Sequence, residues 1–263
     1  MILLAVKVLL APCFVMGASL IARRFGSRVG GVIGGLPVVA GPILLVYALA
    51  HGRTFAAGAA AGTLLGLVSL IAFVVVYGHL AGRVFWGTAM LAGWLAFALA
   101  TVVFSALSLP LGVALALVAA VLALALVALP RPGPDVRVHE APPVWDLPVR
   151  GACALALVLA LTAISGWLGP QLSGLLAPFP IITTVLATFT HAQRGNDELL
   201  RLLRGLVGGF GAFALFCFTL ALSLRQLDTG AAFALATGLA LAVQAGVLVL
   251  MPAPAAVSAV PEY

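Results

Sequence analysis

The threonine side chains that could bind a solute in this chain directly follow a proline in an otherwise apolar stretch. Thr183 and Thr184 come shortly after Pro180. A proline inside a helix lacks the backbone donor and leaves the carbonyl one turn earlier without its partner. Such a carbonyl and two threonine hydroxyls can form hydrogen bonds with a polar solute. The pattern therefore predicts a binding site, built largely from backbone groups, around Pro180.

A second sequence of this kind lies in the first half of the chain, where residues 34 to 42 read Gly-Gly-Leu-Pro-Val-Val-Ala-Gly-Pro. Lipid cannot satisfy an unpaired carbonyl, so such breaks persist in a membrane only where protein or a polar cavity covers them. Proline is also common in membrane helices as a simple kink, which is the alternative interpretation. We expect both breaks to line one cavity, in which the substrate-binding residues are Leu36, Pro37, Val38, Ala40, Pro180, Ile181, Thr183 and Thr184.

Two basic residues, Lys7 and Arg150, each lie near the start of an apolar stretch. A basic side chain so close to a helix end can extend to the membrane interface. If both turn inward instead, they supply one cation near each mouth of a cavity and act as electrostatic gates. The helix N-termini that follow each break add partial positive charge. These features extend the predicted site to Lys7 and Arg150 and favour an anionic or polar substrate.

Catalytic and metal-binding chemistry is not predicted. All seven acids lie outside the apolar stretches: Asp135, Glu140, Asp146, Asp197, Glu198, Asp228 and Glu262. This disfavours a cation or proton antiporter built on a buried aspartate, and equally an intramembrane protease or metalloenzyme. The three cysteines and four histidines form no metal-ligand spacing, and neither a phosphate-binding loop nor a nucleophile elbow is present. We therefore predict no enzyme, no catalytic residue, no metal and no cofactor.

The composition is that of a membrane protein. Hydrophobic residues make up 64% of the 263 residues and charged residues only 8%. The net charge of +6 does not indicate nucleic-acid binding, because the arginines stand in short clusters between apolar stretches. The lipid bilayer is therefore the expected partner, and no nucleic acid is expected.

Nine apolar stretches are long enough to cross a bilayer. They cover residues 2–22, 29–50, 56–78, 85–107, 111–129, 151–168, 172–191, 203–224 and 230–251. With the N-terminus outside, ten arginines fall in the cytoplasm and only Lys7, Arg53 and Arg225 lie towards the outside. The positive-inside bias therefore predicts an external N-terminus and a cytoplasmic C-terminus.

The two halves of the chain align without a gap at an offset of 143 residues, the separation of Lys7 and Arg150. Six glycines coincide in this alignment: Gly26, Gly31, Gly52, Gly62, Gly66 and Gly87 fall on Gly169, Gly174, Gly195, Gly205, Gly209 and Gly230. Self-similarity at a fixed period indicates a duplicated unit. Helices 1 to 4 and 6 to 9 form the two units, and the extra helix 5 inverts the second. Inverted repeats are typical of transporters with a site between the units.

The resulting prediction is an all-α polytopic membrane protein of two four-helix inverted repeats with broken second helices. Residues 1–107 form unit one, 108–149 a connector helix facing lipid and a cytoplasmic linker, 150–251 unit two, and 252–263 a tail. Glycines at four-residue spacing in helices 3 and 8 predict close helix packing. These are Gly58, Gly62 and Gly66 in the first unit and Gly205 and Gly209 in the second.

The second unit resembles a known family. Residues 174 to 183, Gly-Leu-Leu-Ala-Pro-Phe-Pro-Ile-Ile-Thr, followed by His191, Arg194 and Gly195, resemble the core motif of the GlpM-like bacterial inner-membrane proteins. Those proteins also have a basic residue early in the first helix, as Arg150 is here. The resemblance covers about residues 150–225 and, more faintly, the first unit, where Ala40-Gly41 replaces the threonine pair. It implies a fused tandem of two such units in the bacterial inner membrane and an association with envelope polysaccharide production.

Three functions remain open at this point. The first is a secondary transporter of a small anionic or polar solute that works by alternating access. The second is a non-catalytic membrane subunit of an envelope polysaccharide biosynthesis complex, and the third is a flippase for a lipid-linked phosphate. A transporter needs an aqueous cavity that reaches the breaks, whereas an assembly subunit needs only an apolar lateral face. The sequence leaves open the substrate, the coupling ion, the direction of transport and whether the chain forms a homo-oligomer.

Overall fold

The computed structural model describes residues 2–107, 109–133, 143–160 and 179–250; the side chains of residues 2–10 and 105 lie outside this description. The described secondary structure is entirely helical, which confirms the predicted all-α class. The helices are α1 (Ile2–Phe25), α2 (Ser27–Gly34), α3 (Ala40–His51), α4 (Arg53–Leu80), α5 (Trp86–Ser105), α6 (Leu111–Ala128), α7 (residues 146–160), α8 (Ile181–Ser223) and α9 (Thr229–Leu250).

Five of the described helices are long and apolar enough to cross a membrane. They are α4, α5 up to Phe104, α6, α8 and α9, while α3 is apolar but shorter. With 64% hydrophobic residues in the chain, these helices support a membrane-embedded protein. The described residues form nine helices, but these do not correspond one to one with the nine predicted spans. The predicted span 29–50 contains both α2 and α3, and α8 extends over parts of two predicted spans, 172–191 and 203–224. Five of the described helices meet the length and hydropathy expected of a complete crossing.

The predicted break in the second helix of unit one is present. α2 ends at Gly34 and α3 begins at Ala40, so Pro37 lies between two helices. In unit two, Phe179 and Pro180 are not helical and α8 begins at Ile181. The earlier part of that predicted helix, residues 172–178, lies outside the described residues.

The two breaks have the same backbone hydrogen bonds. At the first break, the amides of Val38 and Gly41 donate to the carbonyls of Leu36 and Pro37, at 2.9 and 2.8 Å. At the second, the amides of Ile181 and Thr184 donate to the carbonyls of Phe179 and Pro180, at 2.8 and 2.7 Å. Each donor and acceptor of the second break is displaced by 143 residues from its counterpart in the first.

The turns that join later helices repeat at the same offset. Gly52 and Gly195 have φ/ψ values of 86°/167° and 79°/−174°, a backbone conformation that favours glycine. Gly195 therefore divides α8 into two helical segments, just as Gly52 separates α3 from α4. Further equivalent amide-to-carbonyl pairs are Ala81–Tyr77 and Leu224–Leu220, Val84–Leu80 and Leu227–Ser223, and Ala89–Phe85 and Ala232–Asp228.

The most extensive contact of α2 is with the α8 segment after Gly195, through four glycines. A methyl group added at Gly31 would overlap the carbonyl oxygen of Leu202, and one added at Gly35 would lie 2.8 Å from the Cα of Gly209. A methyl group at Gly205 would overlap the carbonyl oxygen of Arg28. The two backbones therefore touch directly, as small residues one turn apart allow.

The packing predicted for the glycine rows is confirmed at Gly205 and Gly209 but not at Gly58 and Gly62. Gly205 and Gly209 pack as expected, but their contacts are Gly31 and Gly35 on α2 and neighbouring backbone. A Cβ added at Gly58 or at Gly62 would meet nothing within 4 Å, so the predicted close packing there is wrong. The spacing shows that a helix can approach closely, but it does not show whether another helix is present on that face.

The connector helix α6 lies at the periphery. Among its residues only Ala114, Val118 and Ala125 are buried, while Leu124 and Val127 are well exposed. This agrees with the expected lipid-facing connector. The centre of the bundle is formed by α4 and α8, whose buried side chains include Tyr77, Phe73 and Phe210.

Contacts of charged side chains lie at two opposite ends of the helices. At the arginine-rich end, formed by residues 23–28, 129–133, 146–150 and 191–204, Arg23 pairs with Asp146 and the Ser27 hydroxyl donates to Glu198. The Gly133 amide of the same end donates to Asp197 at 2.9 Å. At the other end, Arg53 donates to the carbonyl of Leu227 at 2.7 Å.

Candidate functional site

The second break is covered by the aromatic side chains of α5. The indole Nε1 of Trp94 donates to the Oγ1 of Thr184 at 3.0 Å. The ring centroids of Trp94 and Phe97 lie 5.4 and 5.6 Å from that of Phe179. Thr183 and Thr184 are each only 3% exposed. A helix of unit one therefore holds the break of unit two, and the Thr184 hydroxyl still has a proton to donate.

The first break is more open to its surroundings. Its residues Leu36, Pro37, Val38 and Ala40 are half-buried, whereas Pro180 is buried and Ile181 half-buried at the second break. Next to it, a Cβ added at Gly41 would lie 3.5 Å from the ring of Phe216 on α8. Both breaks are thus in contact with helices of the other unit. Their role in binding a substrate stays a prediction.

Arg150 is buried and held by several partners. It is 4% exposed, and its Nε donates to the two carboxylate oxygens of Asp146 at 3.0 and 2.9 Å. Its Nη2 donates to the Oε1 of Gln193 at 3.2 Å. The guanidinium also lies over the ring of Phe189, 4.9 Å from the centroid, in the arrangement of a cation–π contact.

Asp146 is the centre of this cluster. It is fully buried and also accepts hydrogen bonds from the Nη2 of Arg23 and, at 2.6 Å, from the Nε2 of Gln193. Burial by itself would raise the pKa of the Asp146 carboxyl, but the hydrogen bonds from Gln193, Arg150 and Arg23 lower that pKa below its ordinary value of 3.8. The carboxylate is therefore ionised at neutral pH.

Sequence reasoning did not find this cluster. Asp146 lies outside the predicted apolar stretches, in the first turn of α7, yet it is completely buried. The signal in the sequence is its position four residues before Arg150, a spacing at which acid and base meet on a helix. Lys7, the predicted counterpart of Arg150, belongs to α1, but its side chain lies outside the described residues.

A small cavity lies beside the cluster, between α1, α7 and α8. Its volume of about 10 Å³ is roughly that needed for one water molecule. The lining residues are Ser19, Ala22, Arg23, Arg150, Leu186, Thr190, Arg194 and Leu202. Three guanidinium groups and two hydroxyls therefore face one space, and the surroundings favour an anion.

α8 connects this cavity to the second break. Thr190 lies seven residues after Thr183, about 10 Å along the helix axis at 1.5 Å per residue. Leu186, between them, lines the cavity and also contacts Gly34 at the end of α2. One helix thus carries the buried threonines of the break at its start and the basic cavity two turns further on.

In the described part of the chain, no three histidine, cysteine or acidic side chains are grouped so that they could hold a metal ion. Comparison of the sequence and the fold with protein-family models, curated proteins and solved structures finds no match. The resemblance to GlpM-like proteins therefore stays a prediction, and the function is argued from the geometry.

Proposed function

We propose that the protein is a secondary transporter that moves a small anionic or polar solute across the bacterial inner membrane by alternating access between two inverted repeats. The observation that carries this proposal is the equivalence of two non-helical prolines, Pro37 between α2 and α3 and Pro180 directly before α8. They have the same backbone hydrogen bonds and lie 143 residues apart. In a membrane, two such breaks in equivalent helices are favoured only where protein or a polar cavity covers them.

The contacts at the arginine-rich end support the inversion. Arg23, in the last turn of α1, is hydrogen-bonded to Asp146, in the first turn of α7. The first helix of unit one therefore ends where the first helix of unit two begins, so the two run in opposite directions with respect to that end. The extra helix α6 between the units accounts for the reversal.

The glycine contact between α2 and α8 supplies a surface on which the units can rock. Gly31 and Gly35 belong to the broken helix of unit one, and Gly205 and Gly209 belong to unit two. Side chains do not interdigitate at these four positions, so a small rotation requires little repacking. The substrate in this mechanism contacts the backbone of residues 36–40 and 179–183, with Thr183 and Thr184 as side-chain contacts.

The orientation follows from the arginine-rich end. Arg23, Arg131, Arg150, Arg194 and Arg204 all belong to it, which supports a cytoplasmic location for this end and an external N-terminus. A solute that is released to the cytoplasm in this orientation passes the cavity beside Arg150. An anion is favoured over a cation along that path.

Flux into liposomes tests the proposal. Purified protein should exchange a labelled small anion or polar metabolite saturably. The double substitution Thr183→Val and Thr184→Val should reduce the rate about tenfold or more, since two buried hydroxyls at the site are lost. Thr63→Val is the matched control, because the Thr63 hydroxyl donates to the carbonyl of Ala59 within its own helix.

The alternatives have distinct outcomes in the same assay. Movement of polyprenyl phosphate alone would indicate a flippase. Absence of flux across a broad panel of anions and neutral metabolites, together with stoichiometric co-purification with envelope enzymes, would indicate an assembly subunit. An unchanged rate in the Thr183→Val, Thr184→Val protein would remove these residues from the site.

A further inference from the structure

We infer that the cavity between α1, α7 and α8 is a subsite for an oxyanion, a carboxylate or phosphate group, and that Asp146 occupies its donors as a tethered competitor. Binding at this cavity stands on its own geometry. Only the statement that the bound oxyanion belongs to the transported substrate rests on the proposed function.

The charges of the side chains around the cavity do not balance. Arg23, Arg150 and Arg194 line the cavity, and Asp146 is the carboxylate that meets the first two. Arg194 has no carboxylate partner in the described part of the chain. Buried or half-buried cations are costly unless they are paired, so three guanidinium groups against one carboxylate favour an anion that contacts more of them than Asp146 does.

The hydrogen-bond donors beside the cavity suit an oxyanion. A guanidinium group forms paired hydrogen bonds with planar carboxylates and with phosphates. Asp146 already shows that this site holds a carboxylate, since it accepts bonds from Arg23, Arg150 and Gln193 together. The same three groups can bind a carboxylate or phosphate that arrives from outside.

An unsatisfied hydroxyl, that of Ser19, lines the cavity. Ser19 is 3% exposed and lines the cavity, and its Oγ has no hydrogen-bond partner among the described residues. A buried hydroxyl without a partner costs free energy, so its presence in a basic cavity points to a ligand or water there. Thr190, 6% exposed, brings a second hydroxyl to the same space.

The size of the cavity determines how the oxyanion enters. A volume of about 10 Å³ holds one water molecule and is too small for a phosphate group. The incoming oxyanion must therefore take the place of the Asp146 carboxylate. Asp146 lies in the first turn of α7, and helix ends fray, so its side chain can leave once an incoming oxyanion accepts the hydrogen bonds of Arg23, Arg150 and Gln193. While Asp146 occupies these donors, it lowers the affinity of the subsite for oxyanions and restricts which oxyanions can take its place.

The test compares anion affinities of the full chain in detergent by calorimetry, with inorganic phosphate and succinate as probes. Asp146→Asn should bind one of them about tenfold or more tightly than the natural protein, because the competing charge is removed. Glu198→Gln is the matched control. It removes the same charge at the same end, but Glu198 contacts Ser27 and Arg201 and does not line the cavity. The anion affinity of Glu198→Gln should stay within about twofold of that of the natural protein.

A second variant tests the cavity itself. Ser19→Ala in the Asp146→Asn background should weaken the gained affinity several-fold. If Asp146→Asn does not fold, Ser19→Ala alone should weaken binding to the natural protein. Equal affinity of Asp146→Asn and Glu198→Gln, or an unchanged affinity after Ser19→Ala, would overturn the subsite.

Two further arms separate the sources of the oxyanion and the two proposals. Phosphatidic acid in phosphatidylcholine nanodiscs should compete with soluble phosphate if the site takes a lipid headgroup, and should have no effect if it takes a free solute. Anion binding without any flux would retain the subsite and overturn the transporter. Flux without any effect of Asp146→Asn on anion affinity would retain the transporter and overturn the subsite.

Discussion

The Nε of Arg150 donates hydrogen bonds to both carboxylate oxygens of Asp146, one turn earlier on α7, and neither residue is more than 4% exposed. Two buried charges of this kind are held in place by each other and by Gln193 and Arg23. Removing one partner leaves the other buried without compensation, which is much more costly than the pair itself is favourable.

The first prediction is that Asp146→Asn lowers stability at neutral pH. We expect a loss of about 3 kcal/mol, because Arg150 loses its counter-ion in a buried position. Thermal unfolding in detergent should show a lower Tm than Glu198→Gln, in which a partly exposed acid is changed. Equal Tm values for the two variants would contradict a structural role for the buried pair.

The second prediction concerns pH. The pKa of Asp146 is lowered in the folded protein, so its stabilising effect is fully present above its ordinary value of 3.8 and is lost as the pH falls through the lower, folded value. The difference in Tm between the natural protein and Asp146→Asn should therefore be constant from neutral pH to about pH 4 and shrink below it. Tm measurements from pH 7 to pH 2 test this. A difference that shrinks already near pH 6 would show that Asp146 is not held as described.

The third prediction contrasts two glycines that are equivalent in sequence. Gly205→Ala places a methyl group against the carbonyl of Arg28 and should destabilise the protein by about 2 kcal/mol, the cost of overpacking a tight contact. Gly62→Ala meets nothing within 4 Å and should stabilise α4 by about 0.5 to 1 kcal/mol. The Tm of each variant tests this prediction. A lower Tm for Gly62→Ala would contradict the finding that α4 has open space beside Gly62.

The fourth prediction is an energetic coupling between the units at the second break. Trp94→Phe removes the donor to Thr184, and the net value of such a hydrogen bond is about 1 kcal/mol. In a double-mutant cycle, Trp94→Phe and Thr184→Val should therefore be non-additive by about 1 kcal/mol. Trp94→Phe combined with Thr63→Val should be additive, since Thr63 bonds within its own helix.

The fifth prediction concerns the orientation in the membrane. Single cysteines at Arg53 and at Arg131, in a protein without its own cysteines, should react with an impermeant thiol reagent from opposite sides. Arg53 belongs to the end that contacts Leu227, and Arg131 belongs to the arginine-rich end. Labelling of both from the same side of spheroplasts would contradict the alternation of helices on which the inverted arrangement depends.

Features that arise from local sequence could be predicted. Proline lacks the backbone donor that a helix needs, so the interruption at Pro37 and the helix start after Pro180 are predictable from the sequence, although Pro12 stays inside α1. The 143-residue offset at which their hydrogen bonds repeat is equally readable from the sequence. The all-α class and the peripheral α6 follow from apolar length and the absence of polar side chains.

Features that depend on which helix lies opposite could not be predicted. Gly58 and Gly62 have the same spacing as Gly205 and Gly209, but of these four glycines only Gly205 and Gly209 have a partner helix against them. The burial of Asp146 also depends on the arrival of Arg23 and Gln193 from other parts of the chain. Neither contact has a sequence signature of its own.

The unequal glycine rows bear on how two halves that share the predicted duplication would change over generations. A mutation at Gly205 forces two backbones apart, whereas one at the matching Gly62 meets open space. We therefore expect related chains to keep glycine at 31, 35, 205 and 209, where a methyl group would meet backbone, and to vary at 58 and 62, where it would not. With that variation, the two halves would lose their sequence resemblance fastest in their third helices. The prolines at 37 and 180, which the proposed mechanism needs in both halves, would then be the feature in which the halves stay alike longest.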